Sequence, residues 1–340
     1  LDADWSTVTL EMAPAEPEIY GYERRGGRAM RITGSRAIRS YFTQVRLAGA
    51  QVRKALLQAA ADDWGVDPAT LTTEPNTVIH AASGRRISYG EIAAFANVPK
   101  TMPTVTEAEL KKPADFRLIG TPVERADVPA KVDGSAMFSI DVQLPGMLYA
   151  STAHAPVHLA APRKWNDAEI RKLPGVVDIV PLQQGVAVVA DSFEHVLAAH
   201  RALKVEWQKG AADGYDSEAA LDERYKAVAG DQNTEPVAQA GDVGAAFASA
   251  AKVYKADYRS DYGYHAQMEP LNAVVSVDES GDGAEIWLGT QSPWNARSSA
   301  ARALRVSPDR IKVNRCYLGG GFGRRSSSDY VVEAVNLAKV

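Results

Sequence analysis

Leu318-Gly319-Gly320-Gly321-Phe322-Gly323-Arg324-Arg325 decides how this chain is read. Four of the five residues from 319 to 323 are glycine, so the loop offers a ligand its backbone rather than side chains. Glycine costs a strand or helix interior roughly 0.5–1 kcal/mol against alanine, and a cluster of it marks positive φ or close backbone approach. Upstream, residues 309–318 carry Ile311 and Val313 in alternation ahead of Cys316, which suits a strand. Downstream, Ser326, Ser327, Ser328 and Asp329 offer helix caps, and Val331, Val332, Ala334, Val335, Leu337 and Ala338 supply an apolar face. Strand, glycine loop and helix start together present free N–H groups and a positive dipole end, the makings of an anion site.

Two nucleotide motifs fail on spacing: no Gly-Lys-Ser/Thr follows for a P-loop, and the glycines do not fall as G-x-G-x-x-G. The simplest alternative is a tight strand-to-helix turn with solvated arginines. The preceding unit supplies context, with a strand at 284–288, an exit loop at 289–293 and a helix at 294–306. In such a strand–helix–strand–helix run, loops at the carboxyl ends of two strands converge on one crevice, placing Gln291 and Phe322 against the same ligand.

Thr290-Gln291-Ser292-Pro293, followed at this separation by Gly319-Gly320-Gly321-Phe322-Gly323, resembles the molybdenum hydroxylases of the xanthine dehydrogenase and aldehyde oxidase family. The Gly-Arg-Arg ending is most similar to the beta subunit of isoquinoline 1-oxidoreductase. The resemblance implies catalytic roles for Gln291, beside an oxo ligand of molybdenum, and for Phe322. It further implies cofactor contacts from Gly320, Gly321, Phe322, Gly323 and Arg324, and from Gly34 and Ser35 in a Gly-Ser loop touching the pterin. The implied cofactor is molybdopterin cytosine dinucleotide with molybdenum, and the implied partner is a small subunit carrying 2Fe-2S clusters. The substrate is expected to be an N-heterocycle or an aldehyde; purine oxidisers have Gly-Gly-Lys-Glu after the phenylalanine, where this chain has Gly323-Arg324-Arg325-Ser326.

The 340 residues exceed the usual single-domain size, and a net charge of −4 argues against broad nucleic-acid binding. No apolar run approaches the roughly 20 residues of a membrane span. Cys316 is the one cysteine, so a disulfide, zinc site or iron–sulfur cluster cannot be built from this chain alone. Leu1 is not an initiator methionine and Val340 falls within an apparent helix, so a fragment of a longer subunit is expected. The remainder of that subunit then counts as a partner and carries the catalytic glutamate beyond Val340. The sequence does not choose between a bacterial periplasmic and a cytoplasmic setting, and any signal region is expected to lie outside this chain.

The expected fold class is α+β, a molybdopterin-binding domain interrupted by an a/b hammerhead domain. Its segments are 1–112, 113–210 and 211–340, the second resembling the hammerhead. Within the first, a strand is read at 5–11, an irregular loop at 14–27, and a long helix at 37–64 for which Ser35 reads as a plain N-cap. A hairpin follows at 78–87, and Ser88-Tyr-Gly-Glu91 is a capping box opening a short helix. Prolines 99, 103 and 113 mark a linker. Beyond it come short strands at 136–142, 147–152, 176–180, 186–190 and 204–207, with a helix at 193–203. A connection with one helix (217–228) and a loop through Pro236 leads to strands at 251–258 and 273–277. Glu269 reads as either a residue behind the site or a satisfied buried carboxylate.

Six histidines are scattered. His154 and His158 are separated by Pro156, and His195 and His200 diverge on a helix, so neither pair suits a metal. No G-x-S-x-G elbow supports a hydrolase. Besides the hydroxylase, a non-catalytic scaffold fragment and an unrelated phosphate-binding enzyme fit the same residues.

Overall fold

The computed structural model describes residues 1–230, 235, 237–256 and 258–340. It is an α+β protein. Packing divides it into one unit of residues 1–142 with 267–340 and a second of 143–266. These borders differ from the composition borders at 112/113 and 210/211.

The first unit opens without the expected strand at 5–11. Asp4 instead accepts the Ser6 N–H at 3.0 Å and caps a 3-10 turn at Trp5–Thr7, which breaks the alternation of Val8 and Leu10. The segment read as an irregular loop holds α1 (Pro17–Tyr20) and a hairpin of β1 (Tyr22–Arg24) and β2 (Gly27–Ala29). Arg25 and Gly26 make its reversal, and Gly26 and Gly27 both take positive φ. Helix α2 (Arg36–Trp64) runs as read and ends on Gly65 in the left-handed conformation. Ala60 and Ala61 on α2 form a small core with Leu71, Val78 and Ile92. These come from the sheet β3 (Leu71–Glu74), β4 (Thr77–His80) and β5 (Arg85–Ser88), and from α3 (Tyr89–Phe95), where both halves of the capping box form. β3 went unread because its Thr72 and Thr73 carry no hydrophobic period. After the linker comes α4 (Val128–Asp133), and 136–142 is a 3-10 turn at Ser139–Asp141 rather than a strand. Its one ladder contact is the parallel bridge Phe138–Tyr317.

The second unit contains β6 (Tyr149–His154), β7 (Pro162–Trp165), α5 (Asp167–Ile170), β8 (Val176–Leu182) and β9 (Gly185–Ala190), then α6 (Phe193–Ala202) and β10 (Val205–Trp207). β9 lies between β6 and β8, and α6 covers the sheet, its Val196 and Ala199 in one core with Val186 and Val188 of β9. Helices α7 (Ser217–Gly230) and α8 (Val243–Ser249) follow. Pro236, in the loop read after α7, and Asp257 lie outside the described residues. The rest of 251–258 forms no strand: Tyr254 and Tyr258 are exposed and no neighbouring strand offers a ladder.

The chain re-enters the first unit through β11 (Val274–Val277), β12 (Ala284–Leu288), α9 (Pro293–Leu304), β13 (Ile311–Arg315) and α10 (Asp329–Ala338). β12 pairs antiparallel with β11 and parallel with β13, Ala284 opposite Ile311 through Leu288 opposite Arg315. The crossover α9 and the following α10 bury Ala296, Ala300, Leu304, Val331 and Val335 against Ile286, Leu288 and Ile311. At roughly 1.5–3 kcal/mol for each large aliphatic side chain, this core sets the stability of the segment. On α10, Val331 and Val335 are covered within this chain, Val332, Ala334 and Leu337 are half-buried, and Ala338 is exposed.

Candidate cofactor cradle

β12 and β13 run parallel, so the loops leaving Leu288 and Arg315 emerge side by side. Cys316 N–H donates to the Leu288 carbonyl at 3.0 Å, carrying the pairing one residue further. Burial pushes the Cys316 thiol up, which keeps it neutral and inert.

Each glycine beyond has its own spatial reason. A Cβ on Gly319 would lie 2.2 Å from the Glu269 Cβ; one on Gly321 would lie 2.8 Å from the Gln291 Oε1. Gly320 and Gly323 take φ of +107° and +91°. Phe322 sits between them at φ +51°, a conformation costly for a bulky side chain, and its ring is 70% exposed. Strain of this kind persists where the surroundings over-determine the backbone and clusters at ligand clamps.

The over-determining element is Arg325, whose side chain is fully buried. Its Nε donates to the Gly320 carbonyl at 2.8 Å and its Nη1 to the Gly289 carbonyl at 3.3 Å. Nη2 donates to the Glu269 carbonyl at 2.8 Å and carboxylate at 2.7 Å. Glu269 accepts in turn from Ser139 Oγ (2.9 Å), Asn272 Nδ2 (3.0 Å) and Gly319 N–H (2.9 Å). One satisfied ion pair therefore ties the 267–272, 289–292 and 319–325 loops together. Removing one partner of such a pair leaves a buried charge and costs about 3–5 kcal/mol. The alternative reading of the loop as a plain turn made Arg325 a solvated arginine, which its burial excludes; of the two readings of Glu269, the structure shows the satisfied buried carboxylate.

Gln291 lies flat on the glycine loop. Its Oε1 accepts the Gly323 N–H at 3.0 Å, its backbone N–H donates to the Arg325 carbonyl at 3.0 Å, and its carbonyl accepts from Ile32 at 3.0 Å. Its Nε2 has no partner among the described residues, nor do the N–H groups of Gly320, Gly321 and Phe322. Three successive free amides and one carboxamide form a set of donors with no acceptors, suited to electronegative atoms on a ligand. The residues fit a backbone-held anionic cofactor, because the free amides of Gly320, Gly321 and Phe322 adjoin the free Gln291 Nε2, and the absence of a Cβ at Gly321 lets the Gln291 carboxamide pack directly on that backbone.

Gly34 and Ser35 form a second left-handed turn, at φ +65° and +53°. Ser35 precedes α2, but its hydroxyl makes no cap bond, correcting the plain N-cap reading; the left-handed backbone turns it away from the helix amides. Among the described residues the turn is tied to the cradle through its flank, by the Ile32–Gln291 bond and Arg31 Nη2 donating to Ser326 Oγ at 3.3 Å. Arg324 grips Asp329 with both terminal nitrogens, at 2.8 and 2.5 Å, and this holds the Asp329 carboxyl below the usual carboxylate range. Among the described residues no group of three His, Cys, Asp or Glu side chains could hold a metal ion, and no helix is long and apolar enough to cross a membrane. His195 pairs with Asp191 and His200 with Ser151.

Residues 227–339 match the molybdopterin cofactor-binding domain family. The beta subunit of isoquinoline 1-oxidoreductase from Brevundimonas diminuta is 34% identical, over 100% of this chain and 48% of its own length. A membrane-bound aldehyde dehydrogenase (pyrroloquinoline-quinone) of Gluconacetobacter polyoxogenes is 30% identical, over 100% of this chain and 44% of its length. A nicotinate dehydrogenase subunit of Pseudomonas putida is 30% identical, over 87% of this chain and 25% of its length. The chain spans less than half the length of these curated relatives.

Proposed function

The chain belongs to the molybdenum hydroxylase family, and from that premise we propose that it forms part of the catalytic subunit of an enzyme inserting water-derived oxygen into a C–H bond of an N-heteroaromatic or an aldehyde. Electrons then pass to a partner subunit that carries 2Fe-2S clusters. The names of the relatives support both substrate classes, one being an isoquinoline 1-oxidoreductase and another an aldehyde dehydrogenase. The segment 113–210 serves as its hammerhead domain.

The observation that carries this reading is the contact of the Gln291 carboxamide with the Gly321–Gly323 backbone, which leaves Nε2 and three loop amides as free donors. Gly320, Gly321, Phe322, Gly323 and Gln291 would hold molybdopterin cytosine dinucleotide, with Gly34, Ser35 and Arg324 at its margin. Bound there, the molybdenum cofactor supplies the redox chemistry and the protein supplies position, electrostatics and dryness. Gln291 donates a hydrogen bond from Nε2 to an electronegative atom beside the reacting centre, its orientation fixed by the Oε1 bond to Gly323. The buried Arg325–Glu269 pair keeps the three loops from reorganising as charge develops.

Elemental and nucleotide analysis of the intact enzyme tests the reading, paired with turnover of quinoline-type and aldehyde substrates in ¹⁸O-labelled water. Molybdenum, a released cytidine nucleotide and label in the product are expected. An active, fully assembled enzyme without molybdenum would overturn it in favour of a different phosphate-binding enzyme.

A further inference from the structure

Residues 22–39 hold six arginines and one acid, Glu23, in a chain whose net charge is −4. Four of those arginines, Arg24, Arg25, Arg28 and Arg31, line one cavity of about 210 Å³, to which Ser292 and Asn295 also contribute. Arg24 and Arg25 have no partner among the described residues. Arg28 donates to the Gly21 carbonyl at 2.5 Å and stands 3.7 Å from Glu23, yet its Nε is buried with nothing to bond. The Nε of Arg31 is buried and unpaired as well. Isolated N–H donors of a charged group are costly to bury, and both belong to arginines that line this polar cavity, whose guanidinium groups an acceptor-rich ligand would complement.

The cavity adjoins the cradle. Ser292 is the residue after Gln291, and Ile32 bonds the Gln291 carbonyl. Asn295 also lines a neighbouring cavity of about 480 Å³ with Arg302, Ser326, Ser327 and Ser328, so the polar lining continues past the first turn of α9. A single carboxylate would neutralise one of the four guanidinium groups, whereas a diphosphate offers several oxygens and two or more negative charges to planar donor forks.

We propose that the hairpin arginines Arg24, Arg25 and Arg28, together with Ser292 and with Arg31 just beyond β2, grip the diphosphate of the cofactor whose reactive end lies on the Gly320–Gly323 loop. This rests on the function proposed above and extends the site to a hairpin that none of the sequence motifs marked. An inorganic phosphate could satisfy the same donors, and the test separates the two sources.

The intact enzyme is prepared as wild type, R24Q/R25Q and R24K/R25K. Molybdenum and acid-released nucleotide are counted per subunit before and after a high-salt wash, and inorganic pyrophosphate binding to cofactor-stripped enzyme is followed by ³¹P line width. Arg24 and Arg25 are exposed near the hairpin turn, and R25Q alone serves if the double variant misfolds. Losing two charge-assisted hydrogen bonds should weaken retention roughly tenfold or more. Support would be R24Q/R25Q losing molybdenum and nucleotide together on washing, with the lysine variant intermediate and pyrophosphate bound only where the charge remains. Cofactor retained equally by all three proteins would overturn the proposal. Cofactor retained while pyrophosphate binding is lost would also overturn it, assigning the cavity to a free anion. A wild type without molybdenum or nucleotide would instead bring down the functional reading itself.

Discussion

The left-handed turn at Gly320–Gly323 is locked from behind by a fully buried ion pair, whereas the left-handed turn at Gly34–Ser35 is exposed and tied to the cradle through its flank. In the first, Arg325 bonds the Gly289 and Gly320 carbonyls and Glu269 bonds the Gly319 N–H, so the loop geometry is fixed before any ligand arrives. In the second, neither Ser35 Oγ nor the helix amides make the cap bond that would fix the turn. The contrast separates a rigid frame from a margin that a ligand must help to order.

That contrast breaks first at the ion pair. Glu269→Ala should lower the unfolding free energy of the intact subunit by about 3–5 kcal/mol, because Arg325 is left charged and buried; denaturant titration measures it. A loss below about 1 kcal/mol would mean that the frame is not held from Glu269.

Gln291→Ala should lower turnover roughly 10- to 150-fold with molybdenum content nearly unchanged, the cost of one hydrogen bond to a charged group, since many groups hold the cofactor. Steady-state rates normalised to molybdenum decide this, and molybdenum lost in proportion to activity would contradict it.

At the open turn, Ser35→Ala should shift stability by less than about 0.5 kcal/mol, where a true N-cap would lose about 1. Thermal unfolding of the pair of proteins sharpens the distinction between the turns.

The smallest effect concerns Arg324 and Asp329. Their pairing lowers the Asp329 pKa below its unfolded value of 3.8. Its contribution is therefore present well above pH 3.8 and lost as the pH falls through the folded value. The stability gap between wild type and Asp329→Asn, under about 1 kcal/mol for so exposed a pair, should close in acid.

The same two regions explain what the sequence made legible. From β11 to α10, alternation, proline, serine and glycine signals agree, and 284–288 coincides with β12. Helix α9 stops at Leu304 rather than Val306 because Arg305 turns left-handed, and β13 starts only after a 3-10 turn at Pro308–Arg310. The strand read at 5–11 gives way to a local cap by Asp4, and the path of residues 13–15 rests on distant contacts that no local pattern shows: Arg297 and Arg315 donate to the carbonyls of Ala15 and Ala13. Arg325 was illegible for the same reason, since its partner Glu269 lies 56 residues earlier. The Gln291 and 319–323 motifs were visible locally; that the carboxamide rests on the Gly321 backbone was not.

The central claim is that the backbone around Gly321 is the surface on which the cofactor rests. Counting molybdenum and released nucleotide per subunit in intact enzyme carrying Gly321→Val, beside wild type, tests it most directly. A Cβ only 2.8 Å from the Gln291 Oε1 would force the carboxamide off the loop and break the donor set formed with the Gly320–Phe322 amides, so the variant should purify folded but empty while the wild type is loaded. A Gly321→Val enzyme as fully loaded as wild type would show that the loop is a turn and not a cradle.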